Sequence, residues 1–238
     1  MNDVMPVIAA TAGGILPALA WLWFWLREDS ANPEPRRLIA LAFLGGMVSV
    51  AIAVPLELGI KQTLEFGLLG SMFAASTVIY SVWSALEEVI KYAMAYATVL
   101  HRREDDEPID PVIYMVTTAL GFAGAENVLF LLSPLSGNTV AQNIATGDLR
   151  FVGATLLHVL SSSLIGVALG LTFYSRKSVH VVAGFIGLVC AMVLHVIFNY
   201  LILNTPPELV LRTFALVWVG IILLLAIIEY IKRIRPTA

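Results

Sequence analysis

The feature that most limits this chain's fold is a succession of apolar runs, each about as long as a bilayer's hydrocarbon core is thick. That core measures about 30 Å, which ~20 helical residues cross at about 1.5 Å per residue. On this ruler, spans are expected near 5–26, 38–60, 81–100, 111–132, 151–174, 179–203 and 209–231. Residues 66–80, FGLLGSMFAASTVIY, are apolar but short, and read as an interfacial or re-entrant helix leading into the third span. Seven crossings are expected, or eight if that segment also crosses. Closed barrels need period-two alternation with turn signals, and neither is present. The expected class is all-α: a polytopic membrane-embedded helical bundle, residues 1–238 forming one domain. Composition agrees, with 59% apolar and 13% charged residues, against about 25% charged in soluble domains. The net charge of −3 argues for no nucleic-acid partner.

Basic residues orient the bundle. One set of alternate loops holds Arg27, Arg36, Arg37, Arg102, Arg103, Arg176, Lys177, Lys232, Arg233 and Arg235. The opposite set holds Lys61, Arg150 and Arg212. The positive-inside rule then expects a protein of the cytoplasmic membrane with its N-terminus outside and its C-terminus cytoplasmic. The N-terminus has no basic n-region and carries Asp3, so the first run reads as a retained span. Trp21, Trp23 and Trp25, next to Arg27, read as an interfacial aromatic belt. Cys190, the lone cysteine, reads as a small core hydrophobe and rules out an intramolecular disulfide framework. The polar stretch 133–149 is expected to be an outer loop or lid.

Against this background, a set of polar residues stands out. Glu87, Glu88 and Lys91 lie in SVWSALEEVIKYAMAYATVL, Glu126 and Asn127 in GFAGAENVLF, His158 in GATLLHVLSSS, and His195 with Asn199 in CAMVLHVIFNY. A charged side chain at bilayer depth costs roughly 2.5–3.5 kcal/mol on insertion scales, so such groups mark function by default. Counted along spans of alternating direction, the acids and imidazoles fall at one depth in the outer half of the bilayer. The Glu87–Lys91 spacing suits an ion pair on one helix face, which leaves Glu88 as the favoured base. Arg150, two turns before His158, is a candidate for holding a substrate carbonyl; interfacial anchoring explains it equally well. Glu57 either contributes to the cavity or is interfacial. Ser161, Ser162 and Ser163 read as helix-packing serines.

Glutamates with histidines in a membrane cavity suit activation of water, with asparagine amides donating to substrate carbonyls. No HExxH motif occurs. A metal-free glutamate mechanism and a single zinc held by His158, His195 and Glu88 or Glu126 both remain open. The same cluster also suits the proton relay of a coupled transporter, or a non-catalytic scaffold that binds partner helices.

The runs EEVIKY and EPIDPVIYMVTTALGFAGAENVLFLL, the Arg150…His158 spacing, the late HVIFN and the PEPRR loop together resemble the PrsW family of intramembrane proteases. That family is related to the CAAX prenyl endopeptidases and their bacterial relatives. The resemblance implies that Glu87 and Glu88 match the water-activating paired-glutamate motif, with Lys91 its basic member. Glu126 and Asn127 match the second motif, His158 the third, and His195 with Asn199 the fourth. It also implies a membrane-anchored protein substrate, of the kind exemplified by an anti-sigma factor cut on its extracytoplasmic side. Pro111 stands where family members often have glycine, which stiffens the entry to the fourth span.

Overall fold

In the computed structural model the described residues are 4–30, 32–67, 72–132, 153–206 and 209–236. They form seven long helices and, among them, no strand: α1 Val4–Trp25, α2 Arg36–Gly67, α3 Met72–Thr98, α4 Asp110–Leu132, α5 Thr155–Leu171, α6 Lys177–Asn204 and α7 Val210–Ile231. Five of these, α1, α2, α4, α6 and α7, are long and apolar enough to cross a membrane. The charged residues of α3 and the 17-residue length of α5 keep those two outside that group.

The expected separate helix at 66–80 is not formed. Residues 66 and 67 end α2, and residues 72–80 are the opening turns of α3. No glycine or proline interrupts Met72–Thr98, so nothing breaks the helix there. Ser81 and Ser84 return their hydroxyls to the carbonyls of Thr77 and Tyr80, both at 2.8 Å, satisfying themselves within α3. Residues 68–71, the expected outer loop 133–149 and Arg150 lie outside the described residues.

Helix α4 forms the centre, packed against α1, α2 and α5. It is buried on every side from Asp110 to Gly124, as expected of a helix that is apolar all round. Small residues let its neighbours approach. A Cβ on Gly121 would lie 2.0 Å from the Phe43 carbonyl oxygen, and one on Gly46 would lie 2.0 Å from that of Thr118. The α2–α4 contact is therefore backbone against backbone. Pro111 sits in the first turn of α4, where a missing N–H costs nothing. Around this core, α3 packs between α2 and α6, and α5 packs against α4, α6 and α7.

The outer surface is apolar. Leu16, Val48, Phe185, Ile186, Leu216 and Ile222 are all more than half exposed. So much exposed apolar surface in a soluble protein would drive aggregation; in lipid it is the solvated face. Two expectations are corrected here. Cys190 is exposed on α6, because it falls on the outward stripe with Phe185, Ile186 and Val193. The tryptophans do not form a uniform belt: Trp23 is exposed, with the Arg27 guanidinium 4.7 Å from its ring centre, whereas Trp25 is buried in the core. Two residues further along a helix is 200° of rotation, so these two rings cannot share a face.

Candidate functional site

Four helices supply one buried polar cluster. Helix α3 brings Glu87, Glu88 and Lys91, α4 brings Glu126 and Asn127, α5 brings His158, and α6 brings His195 and Asn199. Lys91, Glu88, His195, His158 and Glu87 are all buried, the first two completely.

Lys91 is the hub. Its Nζ donates to Glu88 Oε1 at 2.6 Å and to His158 Nδ1 at 3.1 Å, and lies 4.5 Å from the centre of the Phe122 ring. Its distance to Glu87 Oε2 is 3.8 Å. The expected Glu87–Lys91 ion pair is present at 3.8 Å, but Lys91 pairs more closely with Glu88. A three-residue step also shares a helix face, and further donors draw Glu88 inward. Glu88 Oε1 accepts from Ser161 Oγ at 3.0 Å and faces His195 Nδ1 at 2.8 Å, while Oε2 accepts from Ser162 Oγ at 2.7 Å. Both carboxylate oxygens of Glu88 are therefore engaged, which suits a charge held out of water.

Glu87 is different. Its Oε2 is buried and has no hydrogen-bond partner among the described residues. Around it, His158 Nδ1 and His195 Nε2 each lie 3.8 Å away. The partners fix both tautomers. His195 gives its Nδ1 proton to Glu88, leaving Nε2 bare toward Glu87. His158 gives its Nε2 proton to Glu126 Oε2 at 3.2 Å and accepts from Lys91 at Nδ1. The two imidazoles meet edge to face, 5.0 Å between ring centres. Gaps of 3.8 Å are too long for direct hydrogen bonds and leave these groups in electrostatic contact only.

The cluster also fits a metal ion in kind and spacing. One ligand atom from each of Glu87, His158 and His195 lies within 4.8 Å of the others. The set is a carboxylate and two imidazoles, a ligand set found in catalytic zinc sites. The carboxylate expected for it was Glu88 or Glu126. Glu88 has its oxygens occupied, and Glu126 faces the far nitrogen of His158, so the group forms on Glu87. The Glu88–His195 contact matches the outer-shell carboxylate that commonly orients a ligating histidine.

The asparagines are tied differently from expectation. Asn199 Nδ2 donates to Ser84 Oγ at 2.8 Å, and Asn127 Nδ2 to Thr155 Oγ1 at 3.1 Å. Glu57 on α2 is within electrostatic reach of Glu87 and Glu126. Sequence reasoning left Ser84 and Thr155 unnamed and read Ser161 and Ser162 as helix-packing serines, whereas both reach the Glu88 carboxylate. Helical spacing carried the signal: Ser161 and Ser162 follow His158 by three and four residues, and Thr155 precedes it by three.

Comparison with known proteins places this geometry in a family. The model of PrsW family intramembrane metalloproteases matches residues 34–228. Protease PrsW of Bacillus subtilis (strain 168) is 30% identical over 172 residues, covering 72% of this chain and 70% of that protein. Protease PrsW of Geobacillus kaustophilus (strain HTA426) is 29% identical over 168 residues, 70% of this chain and 66% of that protein. That of Oceanobacillus iheyensis is 25% identical over 200 residues, 82% of this chain and 84% of that protein. No solved structure matches the chain. The match runs from Glu34 to Ile228 and takes in every residue of the buried cluster, so this integral membrane chain belongs to the PrsW family of intramembrane metalloproteases, a family of peptidases.

Proposed function

We propose that this chain is a single-domain intramembrane endopeptidase in which Glu87 is the base that activates water. The observation that carries the reading is the unpartnered Glu87 Oε2, buried 3.8 Å from the bare Nε2 of His195. A buried carboxylate oxygen without a donor destabilises the fold and calls for an explanation. A water donating one hydrogen to Glu87 and the other to His195 supplies it. As the water oxygen attacks the scissile carbonyl carbon, Glu87 takes its proton and later delivers it to the leaving amine nitrogen. Lys91, whose Nζ lies 3.8 Å from Glu87 Oε2, supplies the positive charge beside the developing oxyanion, and the second amide hydrogen of Asn199 is available to the substrate backbone. Asn127 braces the α4–α5 contact through Thr155, beside the Glu126–His158 bond. Arg150 stays a candidate for holding a substrate carbonyl.

If a divalent ion such as zinc belongs here, Glu87, His158 and His195 would hold it, and it would supply Lewis acidity toward water and carbonyl. Lys91 already donates to His158 Nδ1, so an ion on that nitrogen must displace this contact. Metal content of purified protein, with turnover before and after chelation and zinc add-back, separates the two chemistries.

The substrate class that fits is a membrane-anchored protein cut on its extracytoplasmic side, an anti-sigma factor being the family's example. The basic-residue bias of ten against three supports seven crossings with the N-terminus outside and the site in the outer half of the bilayer. The test is direct. Purified protein in lipid vesicles is incubated with a panel of single-span proteins tagged at both ends, and the fragments are sized. Cleavage of at least one member that disappears with Glu87→Gln supports the reading. No cleavage of any member, or full cleavage by Glu87→Gln, sinks it.

A further inference from the structure

We propose that Ser162, assisted by Ser161, is a positioning residue of this site, acting through Glu88 on His195. The proposal rests on the reading above that Glu87 and the imidazoles handle the water.

Serines within helices usually return their hydroxyl proton to a carbonyl one turn back. Ser49, Ser81 and Ser84 do so here with the residues four before them, and Ser163 with Leu160. Ser162 does not. Its hydroxyl crosses from α5 to α3 and reaches Glu88 Oε2 at 2.7 Å, its sole hydrogen bond among the described residues. Ser161 is intermediate: it reaches Glu88 Oε1 at 3.0 Å but also the Leu157 carbonyl at 2.9 Å. One hydroxyl proton cannot serve both acceptors fully.

The two carboxylate oxygens of Glu88 are therefore held unequally. Oε1 meets Lys91, His195 and Ser161, whereas Oε2 depends on Ser162. Remove the Ser162 hydroxyl, and a fully buried anionic oxygen loses its donor. Rotating the carboxylate to recover a partner swings Oε1 away from His195 Nδ1. The imidazole then loses the acceptor that fixes its ring plane and keeps Nε2 bare toward Glu87. Ser162 would thus set the tautomer and aim of a histidine it does not touch. Loss of an outer-shell partner of this kind typically costs about 10–100-fold in activity or metal affinity.

The experiment compares wild type, Ser162→Ala, Ser162→Thr and Glu87→Gln in lipid vesicles, using the fastest-cut member of the tagged panel. Thermal unfolding is recorded for each, and imidazole nitrogen-15 NMR of histidine-labelled protein reports the His195 tautomer without any turnover. The expected result is a kcat about 10–100-fold lower for Ser162→Ala at unchanged KM. A mixed His195 tautomer and restoration by Ser162→Thr, which keeps the hydroxyl, should accompany it. Wild-type kcat and a single tautomer in Ser162→Ala, with Glu87→Gln inactive, overturn this proposal and leave the parent reading standing. Activity in Glu87→Gln overturns the parent instead. A loss in Ser162→Ala that merely tracks its unfolding temperature, with the tautomer unchanged in the folded fraction, shows a packing role and also overturns the proposal.

Discussion

Glu87 and Glu88 are neighbours of identical chemistry whose surroundings give them different work. Adjacent helical residues point about 100° apart, so one of the pair meets Lys91, two serines and His195 while the other faces the gap between the imidazoles. Their substitutions should separate cleanly. Glu87→Gln is expected to lower turnover by at least about 100-fold, in the range of a lost general base, with the unfolding temperature unchanged or higher. Lys91→Met should instead destabilise by about 3–5 kcal/mol, because it strands the Glu88 carboxylate in a dry interior. Differential scanning in detergent, beside substrate cleavage, reads both. Which ionisable residues form the cluster could be listed from the sequence, since charged groups at membrane depth announce themselves, but its serine and threonine members could not. How they pair could not: the Glu87–Lys91 and Glu88–Lys91 spacings both suit a helix face, and donors on α5 and α6 decided between them.

At the scale of elements, the cluster depends on α4 holding its neighbours close. Helix α2 touches α4 through Gly46 and Gly121, where any side chain would meet backbone rather than a movable neighbour. Gly121→Leu should therefore push α2 away, costing more than the about 1–3 kcal/mol of ordinary overpacking, and should lower both folded yield and activity. Serine, the smallest practical replacement with a polar group, should still destabilise, since its Cβ alone clashes with the Phe43 carbonyl. Helix existence was legible throughout, because apolar runs of span length leave a membrane chain few alternatives. The boundary between α2 and α3 was not. A short apolar segment reads equally as a separate helix or as the first turns of the next, and continuity from Met72 to Thr98 came from unbroken backbone bonding.

Across the whole molecule, a second group of acids lies at the other end of the bundle from the Glu87–Glu88 cluster. Asp29 accepts the Glu34 backbone N–H at 3.0 Å, Tyr114 donates to Glu34, and Asp110 Oδ2 accepts the N–H groups of Asp106 and Glu107 at 2.8 and 2.6 Å. Arg37 pairs with Glu104, and Lys232 bridges Glu28 and Glu229 at 2.7 Å each. These contacts tie the α1–α2 turn, the α3–α4 loop and the end of α7 together. Burial, followed by the charges of Asp110 and Asp106, pushes the Asp105 carboxyl from 3.8 up to about 8. Burial also pushes Asp29 up to about 6. The folded state therefore binds these protons more tightly than the unfolded chain. Raising the pH from about 4 to about 8 removes them, so stability should fall across that window. Unfolding temperatures in detergent at pH 5.5 and 8.5 check the sign, and Asp105→Asn should reduce the difference without abolishing it, since Asp29 still titrates. The proposed orientation has its own test. In a Cys190→Ser background, a membrane-impermeant thiol reagent added outside intact cells should label Asn138→Cys and leave Asp106→Cys untouched; the reverse pattern would invert the topology.

By itself the sequence determined that this chain is a helical membrane protein, and which residue types gather at one depth, because burying a charge or a bare backbone in lipid is costly wherever it happens. Only the tertiary structure decided which oxygen goes unpaired. Whether a buried carboxylate is satisfied depends on donors from other helices, and their placement over a few ångströms follows from packing that no single run of residues encodes.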